Sequence, residues 1–445
     1  VKGIGAGAAK RITEGLKSLQ ASDTRLPIGI ARAQGLDLIS RLRVLAPGIS
    51  KIELAGSLRR MRETIGDLDI VAAAREPEPV INAFAVLPDI AYIERLGPNR
   101  CQVVLQNGLS ADLWVLPEEH WGSLLFHVTG SKAHGIAMRD LAHEHSAKLS
   151  EYGITKDGTL IPCPEEADVY AFFGMPLIPP PMREDMGEIA LARRGELPAV
   201  VQRGDLRGDL HLHSQWSDGK RTIREMAEAA RERGYDYLCV TDHSQGLAVA
   251  NGLGRDRLQA QRQKIDQVNA ELAPFRVLQG VELEVRGDGR LDLPDEVLAE
   301  LDWVTASVHS GLRQERDRLT QRALAAIHHP LIDVLAHPTG RIVGGRAGGD
   351  FDLDALYAEA AKTGTALEIN ADPARLDLRD VHARAAVAAG CVLTIGSDAH
   401  DIPGLDSVYY GIGVAQRAWV PPERVLNTLP LDELLACRKR WRNIG

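Results

Sequence analysis

The chain has 445 residues, 44% of them hydrophobic, and a formal net charge of −9. That length exceeds one ordinary core and implies two to four domains, while no apolar run is long enough to span a bilayer and the start is not signal-like. Five scattered cysteines (Cys101, Cys163, Cys239, Cys391 and Cys437) show no metal-type pairing, so a reducing cytoplasm is the expected compartment. An acidic balance argues against a nucleic-acid partner, but the charge is uneven. Between Lys2 and Arg60 stand eleven Lys and Arg against four Asp and Glu, so this end can touch phosphate.

The chain opens with Val1-Lys2-Gly3-Ile4-Gly5-Ala6-Gly7 ahead of a helix-like run, 8–19. Glycines let a backbone approach a DNA phosphate and helix N-terminal N–H groups bind it without reading bases, which makes Gly3 and Gly5 candidate DNA contacts. No initiator Met precedes Val1, and a further N-terminal segment is expected. Pro47-Gly48 closes this helical region. Next come Gly56-Ser57-Leu58-Arg59-Arg60 and Thr64-Ile65-Gly66-Asp67-Leu68-Asp69, the latter running into the apolar Ile70-Val71-Ala72. Asp67 and Asp69 alternate along a strand and share one face, a geometry that holds two divalent ions about 3.5 to 4 Å apart for in-line phosphoryl chemistry. The preceding turn offers backbone N–H groups, the Ser57 hydroxyl and the Arg60 charge to phosphate oxygens. A third carboxylate is required on a neighbouring strand, and Asp112, in the run 110–115, is the candidate. Pro117 closes that strand, and the proline run 179–181 leads into a charged stretch, 183–197, expected as a linker.

From residue 208 the pattern changes. Apolar strand-like runs end in candidate ligands: 208–213 in His211 and His213, 237–243 in His243, 277–282 in Glu282, 303–309 in His309, 334–337 in His337, and 392–398 in Asp398 with His400 beyond. Asp218 stands in the polar turn after the first run. Helix-like stretches at 222–233, 255–272, 319–328, 353–362 and 381–389 separate the runs, and 366–369 makes a further strand. About seven strand–helix repeats predict a parallel barrel with its function at the strand C-termini. Nine such side chains over-supply one Zn²⁺ but suit about three ions, and mixed imidazole and carboxylate ligands fit Mn²⁺, Zn²⁺ or Fe²⁺. His328, His329 and His382 sit in or beside helices and are read as ordinary packed or surface residues.

The barrel segments Gly-Asp-Leu-His-Leu-His-Ser, Val-Thr-Asp-His-Ser, Gly-Val-Glu-Leu-Glu, Ala-Ser-Val-His-Ser, Ala-His-Pro-Thr-Gly-Arg and Gly-Ser-Asp-Ala-His resemble the motifs of the polymerase and histidinol phosphatase (PHP) superfamily. That resemblance implies a distorted (β/α)7 barrel with a trinuclear site that hydrolyses phosphoesters. His211, His213, Glu282 and Asp398 would hold one metal, Glu282, His309 and His337 the second, and Asp218, His243 and His400 the third. The front signature resembles that of family X DNA polymerases, a class within the nucleotidyltransferases. By that likeness Asp67, Asp69 and Asp112 bind two Mg²⁺ or Mn²⁺, Asp112 helps activate the primer 3′-hydroxyl, and Gly56, Ser57, Arg60 and Gly66 hold the triphosphate of a dNTP. Thr129-Gly130-Ser131-Lys132-Ala133-His134 resembles the thumb motif, with Arg139 toward the template strand. His127, Val128 and Gly135 depart from the vertebrate pattern, so sugar discrimination is not carried over. The first residues resemble a helix-hairpin-helix element.

The implied organisation is multidomain α/β: 1–48 helical fingers with the hairpin, 49–118 a nucleotidyltransferase palm, 119–182 an α/β thumb, 183–207 a linker, and 208–445 the barrel. The implied function is gap filling in DNA repair, base excision repair included. The partners would be gapped or nicked DNA and dNTPs, with no membrane, for a monomer in the cytoplasm at the nucleoid. The barrel would trim 3′ ends as a 3′→5′ exonuclease, with an abasic-site endonuclease, a 3′-phosphatase or a small-molecule phosphatase such as histidinol phosphatase as alternatives. A DNA-binding scaffold with spent sites is a further class, which the complete ligand sets disfavour.

Overall fold

The structure is a computed structural model that describes residues 25–438, so Gly3 and Gly5 lie outside the described residues. The chain divides into two compact units, Val1–Leu197 and Pro198–Gly445.

The first unit begins with α1 (Ile28–Leu45), which buries Ile28, Ala31, Leu38, Ile39 and Leu42. These recur at helical spacing and give the helix one apolar face. The five-stranded sheet that follows has β1 (Ile49–Leu54), β2 (Asp67–Ala74), β3 (Ile90–Leu96), β4 (Arg100–Leu105) and β5 (Ser110–Leu116) in the order β1-β2-β5-β4-β3. β2 lies inside the sheet, parallel to β5 and antiparallel to β1, which its unbroken apolar run from Ile70 to Ala74 allows. Between β1 and β2 comes the one-turn helix α2 (Gly56–Arg59), and α3 (Pro77–Ala85) follows β2. Beyond the sheet, α4 (Trp121–Thr129) and α5 (Lys132–Glu144) lead to the antiparallel strands β6 (Ala147–Ser150), β7 (Gly153–Lys156) and β8 (Thr159–Ile161). The short α6 (Glu166–Ala171) comes next.

The stretch 183–197, expected as a charged linker, is folded into the first unit. Arg183 is fully buried, and α7 (Glu188–Arg194) buries Glu188 at its start. The cause is electrostatic. Glu166 is buried and takes Arg59 in a two-pronged pair at 2.9 Å and Arg183 at 2.5 Å, with the Arg183 guanidinium over the Tyr170 ring at 5.2 Å. A buried carboxylate needs such partners, and here they come from segments far apart in sequence.

In the second unit seven parallel strands stand in chain order: β9 (Gly208–Leu212), β10 (Tyr237–Val240), β11 (Arg276–Glu284), β12 (Trp303–Ser307), β13 (Val334–Leu335), β14 (Ala366–Asn370) and β15 (Leu393–Gly396). The strand–helix alternation predicts this. Helix α8 (Ile223–Glu232) starts where Thr222 and Glu225 form a capping box, and α9 spans Arg255–Leu272. The helices α10 (Asp295–Glu300), α11 (Arg316–His328), α12 (Leu353–Thr363) and α13 (Asp380–Ala388) separate the later strands, and α14 (Val408–Arg417) and α15 (Leu431–Ala436) end the described chain.

The seam between β9 and β15 carries a single parallel bridge, Leu212 with Ala399. Lower down, the buried Asn427 side chain replaces the missing ladder. Its Nδ2 donates to the carbonyls of Ile395 (2.7 Å) and Gly208 (3.1 Å), and its Oδ1 accepts from Ile395 N–H at 2.9 Å. Leu426 and Leu434 plug the same end against Leu210, Tyr237, Leu278 and Trp303. The apolar plug leaves the strand C-termini as the polar end.

Two consequences can be measured. Asn427→Ala strands one N–H and two carbonyls inside the seam, so urea denaturation of the barrel is expected to show a loss of about 3 kcal/mol. Burial pushes the Glu166 carboxyl up, but Arg183 and then Arg59 outweigh it and hold the group down at about 2. A depressed carboxyl stabilises fully above its unfolded value and loses that contribution as pH falls through the folded one. The first unit should therefore lose about 3 kcal/mol between pH 4.5 and pH 2. In Glu166→Gln that acid-limb slope should flatten.

Candidate functional sites

In the first unit, Asp67 and Asp69 occupy alternate positions at the start of β2, and the register sets Asp69 opposite Asp112 on β5. Alternation and parallel pairing turn all three side chains to one face. Burial and the charge of Asp112 push Asp67 up, while burial, Asp67 and Asp112 together push Asp69 well above the usual carboxylate range. Crowded like charges of this kind fit cations as their missing counter-charge. Gly56 has φ +58°, and a Cβ there would stand 1.8 Å from Asp69 Oδ2, so only glycine admits the carboxylate. The Ser57 hydroxyl is buried and has no hydrogen-bond partner among the described residues. Arg60 donates to the Thr129 carbonyl at 2.5 Å and to Glu184 at 3.2 Å, so its guanidinium is already engaged. Gly66 leaves room for Arg25, whose Nη1 would lie 2.9 Å from a Cβ at that position. At Gly135 an added Cβ would stand 3.6 Å from Nη1 of the half-buried Arg139, an ordinary contact, so the space beside Arg139 does not require glycine.

Sequence reasoning missed Arg100. It lies on β4 opposite Trp114 and two residues before Gln102, the register partner of Asp112, with Nε 3.0 Å from both Asp112 oxygens, Nη2 2.5 Å from Oδ2, and its guanidinium 4.4 Å from the Trp114 ring. Nothing local in the sequence marks it, because the strand pairing creates the contact.

The second site has Glu282 at its centre. Its Oε1 lies 2.8 Å from His337 Nε2 and 3.1 Å from His309 Nε2. Its Oε2 lies 2.8 Å from His243 Nδ1, 3.5 Å from His211 Nε2 and 3.6 Å from His213 Nε2. Burial would raise this carboxyl, yet His243, His309 and His211 hold it well below the usual range. His213 is stacked between His243 (4.4 Å) and His400 (4.2 Å), and Asp218 faces His400 at 3.4 Å and His243 at 3.6 Å. Asp398 approaches His213 Nε2 at 3.1 Å. All nine side chains noted from the sequence thus come to one mouth. The observed strands stop short of several of them, since β12 ends at Ser307 and β15 at Gly396, so that His309, His337 and Asp398 stand on the first loop residues.

The grouping is more connected than three separate sets. Ligand atoms converge as His213, Asp218, His243 and His400, as His211, His213 and Glu282, and as His243, Glu282 and His309, with His213, His243 and Glu282 each serving twice. Among the described residues the buried nitrogens His211 Nε2 and His213 Nδ1 find no hydrogen-bond partner, and His243 Nδ1 forms no aligned hydrogen bond although Glu282 Oε2 lies 2.8 Å away, which makes the donor set fit divalent cations. Burial and the neighbouring rings of His243 and His400 hold His213 down at about 3, so it offers a neutral ring; against burial, Glu282 and Glu284 push His309 up to about 10.

Further carboxylates orient these ligands. Glu368 accepts from His211 Nδ1 at 2.6 Å and from the His337 N–H at 2.8 Å, and Glu284 faces His309 Nδ1 at 2.8 Å. Asp242 gathers Ser214 and Ser217 through backbone and hydroxyl, fixing the turn that carries Asp218. Bonds to the outer ring nitrogen fix the tautomer and the aim of the inner one. Glu284 could have been found from its position two residues after Glu282 on the same strand face. Glu368 lies in a run read only as a strand. His328 and His329 pair with Glu359 and Asp295, away from the cluster.

Residues 124–184 match the DNA polymerase beta thumb family, and residues 209–371 match the PHP domain family. The chain is 41% identical to the DNA polymerase/3′-5′ exonuclease PolX of Bacillus subtilis over 98% of its own length and 77% of that protein. The barrel half is similar to smaller proteins: a probable phosphatase of Syntrophotalea carbinolica (28% identical, 49% of this chain, 90% of that one) and one of Photobacterium profundum (30%, 45% and 82%). With 41% identity overall across a match that spans both units, the chain belongs to the PolX family, the family X DNA polymerases that carry a PHP domain.

Proposed function

We propose that the first unit extends primer 3′ ends across short gaps in DNA and that the barrel removes 3′ nucleotides as a 3′→5′ exonuclease. The name of the Bacillus subtilis relative joins these two activities. The observation that carries the reading is the pair of separate acid-rich centres, one built for two cations beside a phosphate-binding turn, the other around Glu282. Asp67, Asp69 and Asp112 would hold two Mg²⁺ or Mn²⁺, and the nine barrel side chains about three Mn²⁺, Zn²⁺ or Fe²⁺. Such ions supply Lewis acidity toward phosphate oxygens and lower the pKa of a bound hydroxyl or water.

The chain's own groups do the rest. Asp112, aimed by Arg100, is placed to draw the proton of the primer 3′-hydroxyl onto its carboxylate as that oxygen attacks the α-phosphate of a dNTP. Ser57 and the backbone at Gly56 and Gly66 receive the triphosphate oxygens, joined by Arg60 once its bond to the Thr129 carbonyl gives way. Arg139 faces the template strand, and pyrophosphate leaves. In the barrel, His211 and His309, held at their outer nitrogens by Glu368 and Glu284, turn their inner nitrogens to the centre. The gapped substrate and the monomeric state are part of this reading, and no helix among the described residues is long and apolar enough to cross a membrane.

A labelled primer on gapped duplex, with and without dNTPs, separates extension from shortening. Asp67→Ala is expected to abolish extension and spare shortening, and His213→Ala to do the reverse. Loss of both activities from either change, in folded protein, refutes independent sites. Release of inorganic phosphate from a 3′-phosphate end without nucleotide release would instead make the barrel a phosphatase. Gly56→Ala, which drives a methyl into Asp69, should lower extension roughly a hundred-fold while leaving shortening intact, read in single-turnover assays.

A further inference from the structure

We propose that a cavity on the outer side of the barrel, walled by α9, α10 and β11, binds a nucleoside monophosphate whose base carries an amino group. It uses no residue of either centre. The cavity measures about 380 Å³, within the range of roughly 300 to 1,000 Å³ usual for small-molecule sites. Its floor is apolar, made by the buried Leu258, Val297 and Leu301. Alternation along β11 points Leu278 into the barrel plug and so turns Gln279 outward, where it lines the cavity while only 3% exposed. The Gln279 amide is held in one orientation by a series of bonds. Asp242, which takes the backbone N–H of Ser214 and of Ser217, also accepts from Gln261 Nε2 at 2.7 Å. Gln261 Oε1 in turn accepts from Gln279 Nε2 at 3.0 Å, and the same Nε2 donates to the Leu258 carbonyl at 2.7 Å. A carboxylate acceptor at one end thus orients both amides. Gln279 Oε1 is left toward the cavity, with no hydrogen-bond partner among the described residues.

A buried carbonyl without a donor is destabilising, and the donor that the chain does not supply a ligand can. The charges on the wall say what else that ligand carries. Arg262 is engaged, since its Nη1 donates at 2.7 Å to Asp302, the carboxylate that also takes the Gln279 backbone N–H at 2.9 Å. Arg255, at the start of α9, is exposed and its guanidinium pairs with no described residue. The Glu300 carboxylate, on the same wall, has no described partner and is a second acceptor. One molecule must therefore bring N–H donors to Gln279 Oε1 and Glu300, a flat apolar body to the floor, and an anion to Arg255. Cytosine and adenine nucleotides carry an exocyclic amino group on a flat ring, with the phosphate at the far end. Thymine has a carbonyl at the matching position, which would meet Gln279 oxygen to oxygen. An arginine fork matches the phosphate in geometry and sign.

The test is amide hydrogen exchange read by mass spectrometry on the Mn²⁺-loaded full chain, because it reports where a nucleotide binds and so separates this cavity from the two centres. Deoxycytidine 5′-monophosphate is titrated against wild type and Arg255→Met, with thymidine 5′-monophosphate, deoxycytidine and inorganic phosphate as further probes on wild type. The deoxycytidine nucleotide is expected to slow exchange in peptides covering 255–263 and 296–302. Arg255→Met should raise the concentration needed for half of that effect roughly ten-fold, and the thymidine nucleotide should need a similar excess. Unchanged exchange in those peptides at millimolar deoxycytidine nucleotide overturns the proposal, as does an equal effect in Arg255→Met. An equal effect from the thymidine nucleotide, from deoxycytidine or from phosphate overturns it too, since the amino group, the phosphate or the base would then play no part.

Discussion

Five imidazoles around the two oxygens of one buried carboxylate is the arrangement on which the second unit depends. A carboxylate taken out of water costs several kcal/mol unless compensated, and rings packed round it in turn need their outer nitrogens held. That requirement propagates outward. Glu368 and Glu284 face His211 and His309, Asp242 ties down the turn with Asp218, and the parallel strands stop so that His309, His337 and Asp398 fall on the first loop residues. The closed apolar end, with Asn427 bridging the seam and Leu426 and Leu434 plugging the interior, is the counterpart of that polar mouth. Seven parallel strands let loops from the whole circumference reach one carboxylate.

The first unit concentrates negative charge by a different route. There the carboxylates come from two adjacent strands, and the sheet register alone sets Asp69 opposite Asp112. No imidazole stands among them. Arg100 balances one oxygen pair from the neighbouring strand, and Gly56 yields space for another. Such a site presents hard oxygen ligands, whereas the barrel is rich in nitrogen, so the two donor sets differ in the divalent cations they favour.

Much of this was legible in the sequence, because both sites are built from residues whose spacing follows local geometry. Alternation put Asp67 and Asp69 on one face, and runs ending in His or carboxylate placed the barrel ligands at one rim. Helix limits were equally local, as at Thr222 and Glu225. What escaped notice depends on chain segments distant in sequence. Arg100 meets Asp112 only through strand pairing, Arg183 is drawn into the first unit by Glu166, and Asn427 replaces a ladder that no pattern shows to be missing. The stretch 183–197 read as a linker because its charges look solvated when their partners are unknown. The double use of His213, between two neighbouring rings, follows from loop paths and not from spacing.

Two guanidiniums stand beside carboxylates of the two centres, and their geometry separates their roles. Arg100 makes three contacts of 3.0 Å or less with Asp112 and rests against Trp114, so its donors are spent on aiming that carboxylate. Arg375 reaches Asp398 at a single 3.5 Å contact while its backbone is held rigidly on both sides. A side chain that orients another closes onto it. The same residue type thus meets a carboxylate in two ways, closing onto Asp112 but standing off Asp398, whose oxygens are already engaged by Asn370 and His213.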